Sequence, residues 1–183
     1  MTALRSHDAP RTPAEQHHGS EVRDGAGLGA LFAPSGIAVV GASRNSRKLG
    51  AVMVRSLSGF AGAVVGVNAR DGALCPSVAA AVAQHGALDL AIICVPAAAS
   101  ASAVAEAAEA GAGAAVVCGG GFAESGPEGA AHQATLVEVA VRTGIRVLGP
   151  NTSGFLVPPR GLTASFVPGV ADVPAGRVAV VAA

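Results

Sequence analysis

The 183-residue sequence contains no tryptophan and no tyrosine, and aromatic residues make up only 3% of it. Single-stranded nucleic acids stack on aromatic side chains and large protein interfaces are anchored by them, so this composition disfavours both kinds of partner. Charge is also scarce, since 12 basic and 12 acidic residues give a net charge of +0. Without an overall positive field, we expect no binding to nucleic acid or to an anionic membrane surface. Any anion site in this protein must therefore be local.

Long hydrophobic runs are missing too, although the mean hydropathy is +0.52. Charges, glycines and prolines interrupt every apolar run before the ~20 residues that a membrane-spanning helix needs. The three cysteines, Cys75, Cys94 and Cys118, form no CxxC pair, which argues against a zinc site and against a disulfide framework. We expect Cys94 and Cys118, which lie inside apolar runs, to be buried and inert. These features favour a cytoplasmic globular chain without a metal site.

Polar residues, prolines and glycines dominate the first 29 positions, and no apolar stretch there resembles a signal peptide. We expect residues 1–29 to be a disordered tail and residues 30–168 to form one domain. Residues 169–183 would be a linker and the first strand of a truncated second α/β domain, because the apolar run RVAVVAA at 177–183 has no helix after it to cover a buried strand. The alternative is that this run is the last strand of the first domain.

Short apolar runs alternate with helical segments through the middle of the chain. The runs are continuously apolar, which is typical of parallel strands covered by helices on both faces. They lie at residues 37–40, 63–67, 90–95, 114–118 and 145–148, and the helical segments at 49–58, 76–84, 97–110 and 127–143. After them we expect a loop at 149–161 and a short strand at 163–167. This order predicts an α/β fold, a Rossmann-like doubly wound parallel sheet of about five strands.

The loop after the first strand, GASRNSRKLG at 41–50, is the best candidate for an anion site. Gly41 permits a tight turn out of the strand, and the following helix would direct its N-terminal amides to the same place. The loop also offers short hydroxyl and amide side chains at Ser43, Asn45 and Ser46. Three of the twelve basic residues fall within five positions, namely Arg44, Arg47 and Lys48, the only lysine. The pattern predicts a phosphate-binding loop, and the alternative is an exposed, solvated turn.

The identity of the phosphate ligand is open at this level. The loop lacks the second and third glycines of the dinucleotide motif GxGxxG. No acidic residue ends the second strand, where Asn68, Ala69 and Arg70 follow Val67, so an NAD ribose has no evident partner. Arg70 would suit a ribose phosphate, which NADP and the 3′-phosphate of coenzyme A provide equally well.

Several motifs follow one another in order: ALFAPSGIAVVGAS, KLG, VxN, IICVPAAA, VVCGGGFAESG and GIRVLGPNTSGF. Together they resemble the CoA-binding domain of ADP-forming acyl-CoA synthetases (acetate:CoA ligases), relatives of the succinyl-CoA synthetase alpha subunit. The resemblance covers the chain from about residue 30 to its end. It implies that coenzyme A (CoA) is the cofactor and that the residues binding it are Gly41, Ser43, Arg44, Asn45, Ser46, Lys48, Asn68, Arg70, Val95, Pro96, Ala97 and Asn151.

By this resemblance, residues 43–46 and Lys48 would hold CoA phosphates, and Asn68 and Arg70 would lie near the adenosine. Val95, Pro96 and Ala97 would line the nucleotide. Residues 119–121 and 149–151 would flank the pantetheine path. Thr152 stands where the family's GPNCxG motif commonly has cysteine, which leaves the acyl preference open.

The family's phosphohistidine domain and ATP-grasp module are not among these residues. The resemblance therefore implies a domain that binds CoA or acyl-CoA, works with those parts in cis or in trans, and supplies no catalytic residue itself. We interpret His85 and His132 as surface histidines, and Glu124 either touches a transferring phosphate or caps its own loop. The alternative functions are an NADP-dependent oxidoreductase domain and a regulatory CoA-sensing module of an acyltransferase fusion.

Overall fold

The structure is a computed structural model that describes residues 26–181. Seven strands and five α-helices follow one another in the described part of the chain. The strands are β1 Gly36–Val40, β2 Ala63–Val67, β3 Leu90–Ile93, β4 Ala114–Val117, β5 Arg146–Leu148, β6 Gly154–Val157 and β7 Leu162–Ser165. The helices are α1 Ala26–Phe32, α2 Leu49–Ser56, α3 Val78–His85, α4 Ala97–Glu109 and α5 Pro127–Thr143.

Five strands form one parallel sheet in the order β2-β1-β3-β4-β5, which confirms the doubly wound, Rossmann-like fold. The strand ends lie in register, with Val40 between Val67 and Ile93, and Ile93 beside Val117. The winding direction reverses between β1 and β3. In open α/β sheets, ligands bind at the carboxyl ends of the strands at such a reversal. The fold therefore points to the loops after β1 and β3.

Each face of the sheet is covered by its own apolar layer, as continuously apolar strands require. Helices α3, α4 and α5 cover one face, where Val104, Phe122 and Leu136 are buried. Helices α1 and α2 cover the other face together with the β6–β7 hairpin, which contributes Leu162 to the core. Because both faces of the sheet are covered, a ligand can bind only at the edges of the sheet and at its loops.

The expected strands and helices between residues 37 and 148 are all present, with ends shifted by one or two residues. The largest difference is at β3, which ends at Ile93, so that residues 94–95 belong to the following loop. A second difference is the hairpin. β6 lies within the expected loop 149–161 and pairs antiparallel with β7. The sequence did not indicate this strand, because Gly154, Pro158 and Pro159 are residues typical of turns. In the structure the two prolines form the turn between β6 and β7, and Gly154 lets the two strands approach closely.

The two ends of the described chain also differ from expectation. The expected disordered tail falls almost wholly outside the described residues, but its last part, from Ala26, is the start of α1. Residues 177–181 are exposed and form no strand, and the rest of the strand expected at 177–183 lies outside the described residues. The division into a domain and a truncated second domain remains a prediction. None of the helices described here combines the length and hydropathy needed to cross a membrane.

Candidate functional site

The loop from β1 to α2 is held tightly against the sheet. Gly41 has a φ of +84°, and a Cβ atom there would lie 2.7 Å from the carbonyl oxygen of Cys94. The amides of Gly41 and Ala42 donate to the carbonyl of Val67 at 2.9 and 3.2 Å. Glycine is therefore required at position 41 by its conformation and by the close approach of β3. Because the amides of Gly41 and Ala42 are hydrogen-bonded to the sheet, they are not available to a ligand.

Gly50 brings the first turn of α2 against the same loop. A Cβ atom at this position would overlap the carbonyl oxygen of Gly41, and the residue is buried. The sequence marked Gly50 only as the end of a polar loop. Its packing role becomes visible when the helix and the strand end are seen together, and it directs the N-terminus of α2 toward the carboxyl edge of the sheet.

Polar side chains of the loop fold back onto its own backbone. The Ser43 hydroxyl accepts the amide of Asn45 at 3.1 Å, and the Asn45 side chain accepts the amide of Arg47 at 3.0 Å. The carbonyl of Asn45 accepts the amide of Lys48 at 3.0 Å. Within the described residues, the loop amides left without a partner are those of Ser43, Arg44 and Ser46. Such amides, beside a helix N-terminus, are a suitable set of donors for an anion.

The three cationic side chains of the loop are exposed, and one of them is held by an acid. Arg44 Nε donates to Asp71 Oδ2 at 2.9 Å, joining the β1–α2 loop to the loop after β2. The hydrogen bond from Arg44, and then that from the amide of Ala73, lowers the pKa of the Asp71 carboxyl. Because the ion pair uses Nε, it leaves the two terminal guanidinium nitrogens of Arg44 available to a ligand. The sequence showed no sign of this pair, since the partners are 27 residues apart.

Asn68 connects the same two loops. Its Nδ2 donates to the carbonyl of Ala42 at 2.8 Å, and its Oδ1 accepts the amide of Arg70 at 2.9 Å. The Asn68 side chain therefore links the two loops, independently of any contact with a ligand. Arg70 is exposed and lies on the loop next to the cationic segment.

The loops after β3 and β4 continue the site along the edge of the sheet. Val95 is partly buried, Pro96 is exposed and precedes α4, and Ala97 is buried in the first turn. A Cβ atom on Gly119 would lie 2.9 Å from the carbonyl oxygen of Val95, so the two loops touch.

The loop after β5 meets the loop after β4. The amide of Asn151, a residue with a φ of +55°, donates to the carbonyl of Gly119 at 3.1 Å. Glu124 Oε1 accepts the amides of Gly121 and Phe122 at 2.8 and 3.2 Å. Hydrogen bonds from backbone amides, its own first and then those of Phe122 and Gly121, lower the pKa of Glu124. Of the two roles considered for Glu124, the geometry shows the loop cap.

The residues identified from the sequence thus fall into two groups along one edge. Those after β1, β2 and β3 lie together at the winding reversal, whereas Asn151 lies after β5. Three strand spacings of roughly 4.8 Å separate β1 from β5, or about 14 Å. A ligand that reaches both groups must be elongated, with its anionic part at the β1 end.

Neither histidine considered from the sequence contributes to the cationic end. His85 is the exposed last residue of α3, and helices in this fold end at the opposite edge of the sheet. His132 lies on the surface of α5, 4.0 Å from Glu128.

The sequence did not point to Arg55 as a residue near the cationic loop. Its two terminal guanidinium nitrogens each approach the carbonyl of Ser46 at 3.4 Å.

Comparison with known proteins identifies the domain. Residues 35–158 match the CoA binding domain family. The chain is 37% identical over 138 residues to an ADP-forming acetate–CoA ligase I of Archaeoglobus fulgidus, covering 74% of this chain and 20% of that protein. It is 36% identical over 143 residues to the alpha subunit of an ADP-forming acetate–CoA ligase II of Pyrococcus furiosus, covering 76% of this chain and 31% of that subunit.

A solved structure shares the fold as well. It is the dinucleotide-forming acetyl-coenzyme A synthetase 1 of Ca. Korarchaeum cryptofilum in complex with phosphate and ADP. Its TM-score is 0.69 at 37% identity, over 78% of this chain and 31% of that one. The chain therefore spans a fifth to a third of the length of these relatives. With two thirds of its residues matched, and with the resemblance seen in its motifs confirmed, the chain belongs to the CoA binding domain family, as a homologue of ADP-forming acetate–CoA ligases.

Proposed function

We propose that this chain is the CoA-binding part of an ADP-forming acyl-CoA synthetase, an enzyme that converts a carboxylate, CoA and ATP to acyl-CoA, ADP and phosphate. The observation that carries the proposal is the cationic β1–α2 loop. It lies at the winding reversal of the sheet, in a domain homologous to acetate–CoA ligases. The three cations and the unpartnered amides of this loop would hold the diphosphate.

The remaining proposed contacts follow the edge of the sheet. Arg70 would meet the 3′-phosphate from the loop after β2, while Asn68 and residues 95–97 would lie near the adenosine and line the nucleotide. Given the spacing of the strands, the glycines after β4 would flank the pantetheine arm about 10 Å away, and Asn151 would flank it about 14 Å away. In this arrangement the anionic end of an elongated ligand would lie beside the cationic loop.

The contribution of this domain to catalysis would be positioning. When bound, CoA supplies the thiol that receives the acyl group. The loops would fix the phosphates of CoA and so restrict the positions that the CoA thiol can reach. This restriction would raise the effective concentration of the thiol at an acyl phosphate carried in by another domain. The phosphohistidine and ATP-grasp parts would act in cis or in trans. We also propose a cytoplasmic location, which suits three cysteines that are all free thiols.

Calorimetric titration of the purified chain with CoA, dephospho-CoA and NADPH tests the ligand. We expect CoA to bind more tightly than dephospho-CoA, because Arg70 would lose the 3′-phosphate, and NADPH to bind weakly. A preference for NADPH would instead support the oxidoreductase alternative, for which the exposed Arg70 after β2 is the favourable observation.

The genomic context separates the synthetase from a CoA-sensing module. If the synthetase proposal is right, the gene or a neighbouring gene encodes a histidine-bearing ligase domain and an ATP-grasp module. An acyltransferase domain in their place would support the sensing module.

A further inference from the structure

Two thiols lie side by side at the carboxyl ends of β3 and β4. These strands pair in parallel with Ile93 beside Val117, so Cys94 and Cys118 are the next residues in the same register. The amide of Cys118 donates to the carbonyl of Ile93 at 3.1 Å and extends the pairing beyond the last strand residues. Both side chains belong to the apolar layer under α1, α2 and the hairpin. Alternation of side chains along each strand therefore turns the two thiols to the same face.

The two thiols are adjacent and differ in burial. Cys118 is buried, whereas Cys94 is only partly buried, so the Cys94 side is the side of the pair nearer to solvent. The hydrogen bond between them, and then burial, raises the pKa of the Cys94 thiol. As the acceptor, Cys118 has its pKa lowered. Cys118 is therefore the thiol of the pair that ionises first. The sequence predicted that both thiols are buried and inert; the burial holds for Cys118, whereas Cys94 is only partly buried.

The backbone links the thiol pair to the proposed CoA site. The carbonyl oxygen of Cys94 lies against Gly41, at the root of the cationic loop. Gly119, which follows Cys118, lies against the carbonyl oxygen of Val95, which follows Cys94. A shift of the ends of β3 and β4 would therefore displace Gly41, which begins the cationic loop, and Gly119, which would flank the pantetheine path.

The spacing of the strands permits a bond between the two sulfurs. Neighbouring strands lie roughly 4.8 Å apart, which is within the Cα separation that disulfides adopt. Side chains of in-register residues on neighbouring strands project in the same direction, so their Cβ atoms keep roughly the 4.8 Å strand spacing, whereas those of a disulfide are about 3.8 Å apart on average. Closure would therefore draw the two Cβ atoms together by roughly 1 Å. Because protein interiors are close-packed, this movement would be passed on to the adjoining loops.

We propose that Cys94 and Cys118 form a dithiol site that peroxides oxidise to a disulfide, and that the disulfide weakens CoA binding. The Cys118 thiolate attacks one oxygen of hydrogen peroxide, the O–O bond breaks, and the departing hydroxide takes a proton to become water. The Cys94 sulfur then attacks the resulting sulfenic sulfur of Cys118, and the sulfenic hydroxyl leaves as water with the Cys94 proton. Two thiols are oxidised by two electrons and one peroxide is reduced to two waters. A dithiol reductant reverses the change.

The test uses hydrogen peroxide on the wild-type chain and three variants, followed by alkylation and peptide mass mapping. We expect a Cys94–Cys118 disulfide in the wild type and in Cys75→Ala, the matched control with the third cysteine removed. Neither Cys94→Ala nor Cys118→Ser should form a disulfide, because each lacks one sulfur of the pair. In the wild type, dimedone added with the peroxide should trap a sulfenic acid at Cys118, the thiol that ionises first. Retention of all three alkylatable thiols in the wild type, or cross-linking through Cys75, would overturn the dithiol site.

The predicted loss of CoA affinity on oxidation rests on the proposed function. A second measurement, of CoA binding, distinguishes a failure of the proposed function from a failure of the dithiol site. Calorimetry should show CoA affinity falling about tenfold or more on oxidation of the wild type and of Cys75→Ala. Dithiothreitol should restore it, and Cys94→Ala should bind CoA equally with and without peroxide. Unchanged affinity despite a mapped disulfide would overturn the coupling. A reduced chain that binds no CoA would refute the proposed function, while the mass map would still decide whether the dithiol site exists.

Discussion

At the scale of single residues, Lys48 is the sharpest probe of the cationic loop. It is the only lysine, it immediately precedes α2, and its side chain is exposed. We expect Lys48→Ala to weaken CoA binding by about 1–2 kcal/mol, because a charge-assisted hydrogen bond to a phosphate is lost. The melting temperature should change little, because an exposed side chain contributes little to the core. Calorimetry and thermal unfolding measure the two effects.

Arg142→Ala is the control for this substitution. Arg142 is an exposed cation in the last turn of α5, away from the carboxyl edge of the sheet, and its removal should leave CoA affinity unchanged. An equal loss of stability in Lys48→Ala would mean that the lysine has a structural role.

Gly50 tests how tightly the loop and α2 are packed. In Gly50→Ala the new methyl group would overlap the backbone of Gly41, which cannot move away like a flexible side chain. We expect the free energy of unfolding to fall by about 1–3 kcal/mol, as for other overpacked sites, and CoA affinity to fall with it. Gly72→Ala is the matched control, because a Cβ there meets nothing within 4 Å. Urea unfolding of both variants measures the difference, and equal stabilities would refute the packing role.

At the scale of elements, the loop between β4 and α5 depends on one carboxylate. Backbone amides that bind Glu124 lower its pKa below the ordinary value of 4.5, so the charged form is favoured in the folded state. A folded-state pKa below the unfolded one gives a stabilisation that is complete above the unfolded pKa and is lost as pH falls through the folded pKa. The loop should therefore be held at neutral pH and loosen in acid.

Glu124→Gln should remove this dependence. We expect the wild type to be more stable than the variant in urea near neutral pH, and the difference to shrink as the pH falls below about 4. Glu109→Gln, an exposed carboxylate on α4, should show no comparable change. A wild-type advantage that persists unchanged in acid would show that the charge is not what caps the loop.

At the scale of the whole molecule, the β6–β7 hairpin completes one face of the core. Leu162 is fully buried there, and the Ser56 hydroxyl at the end of α2 donates to the carbonyl of Thr163 at 3.0 Å. We expect Leu162→Ala to lower the free energy of unfolding by about 2–5 kcal/mol, as for other buried leucines. Val141→Ala, at a side chain 79% exposed on α5, should change it by less than about 0.5 kcal/mol. Chemical denaturation of both compares them directly, and equal stabilities would show that the hairpin is not part of the cooperative fold.

The sequence alone determined the five-stranded α/β fold and the location of the cationic loop. Continuous apolar runs, an alanine-rich helix and a glycine after β1 act over a few neighbouring residues, so their physical effect can be seen in the linear order.

The tertiary structure alone decided which distant groups meet. Glu106 of α4 accepts the amide of Val78 and caps α3 from 28 residues away. The pairing of Arg44 with Asp71 and the adjacency of Cys94 and Cys118 have the same origin. None of these has a sequence signature, because each depends on the strand order and the register. Strand order and register are set by the packing of the whole core rather than by any short segment.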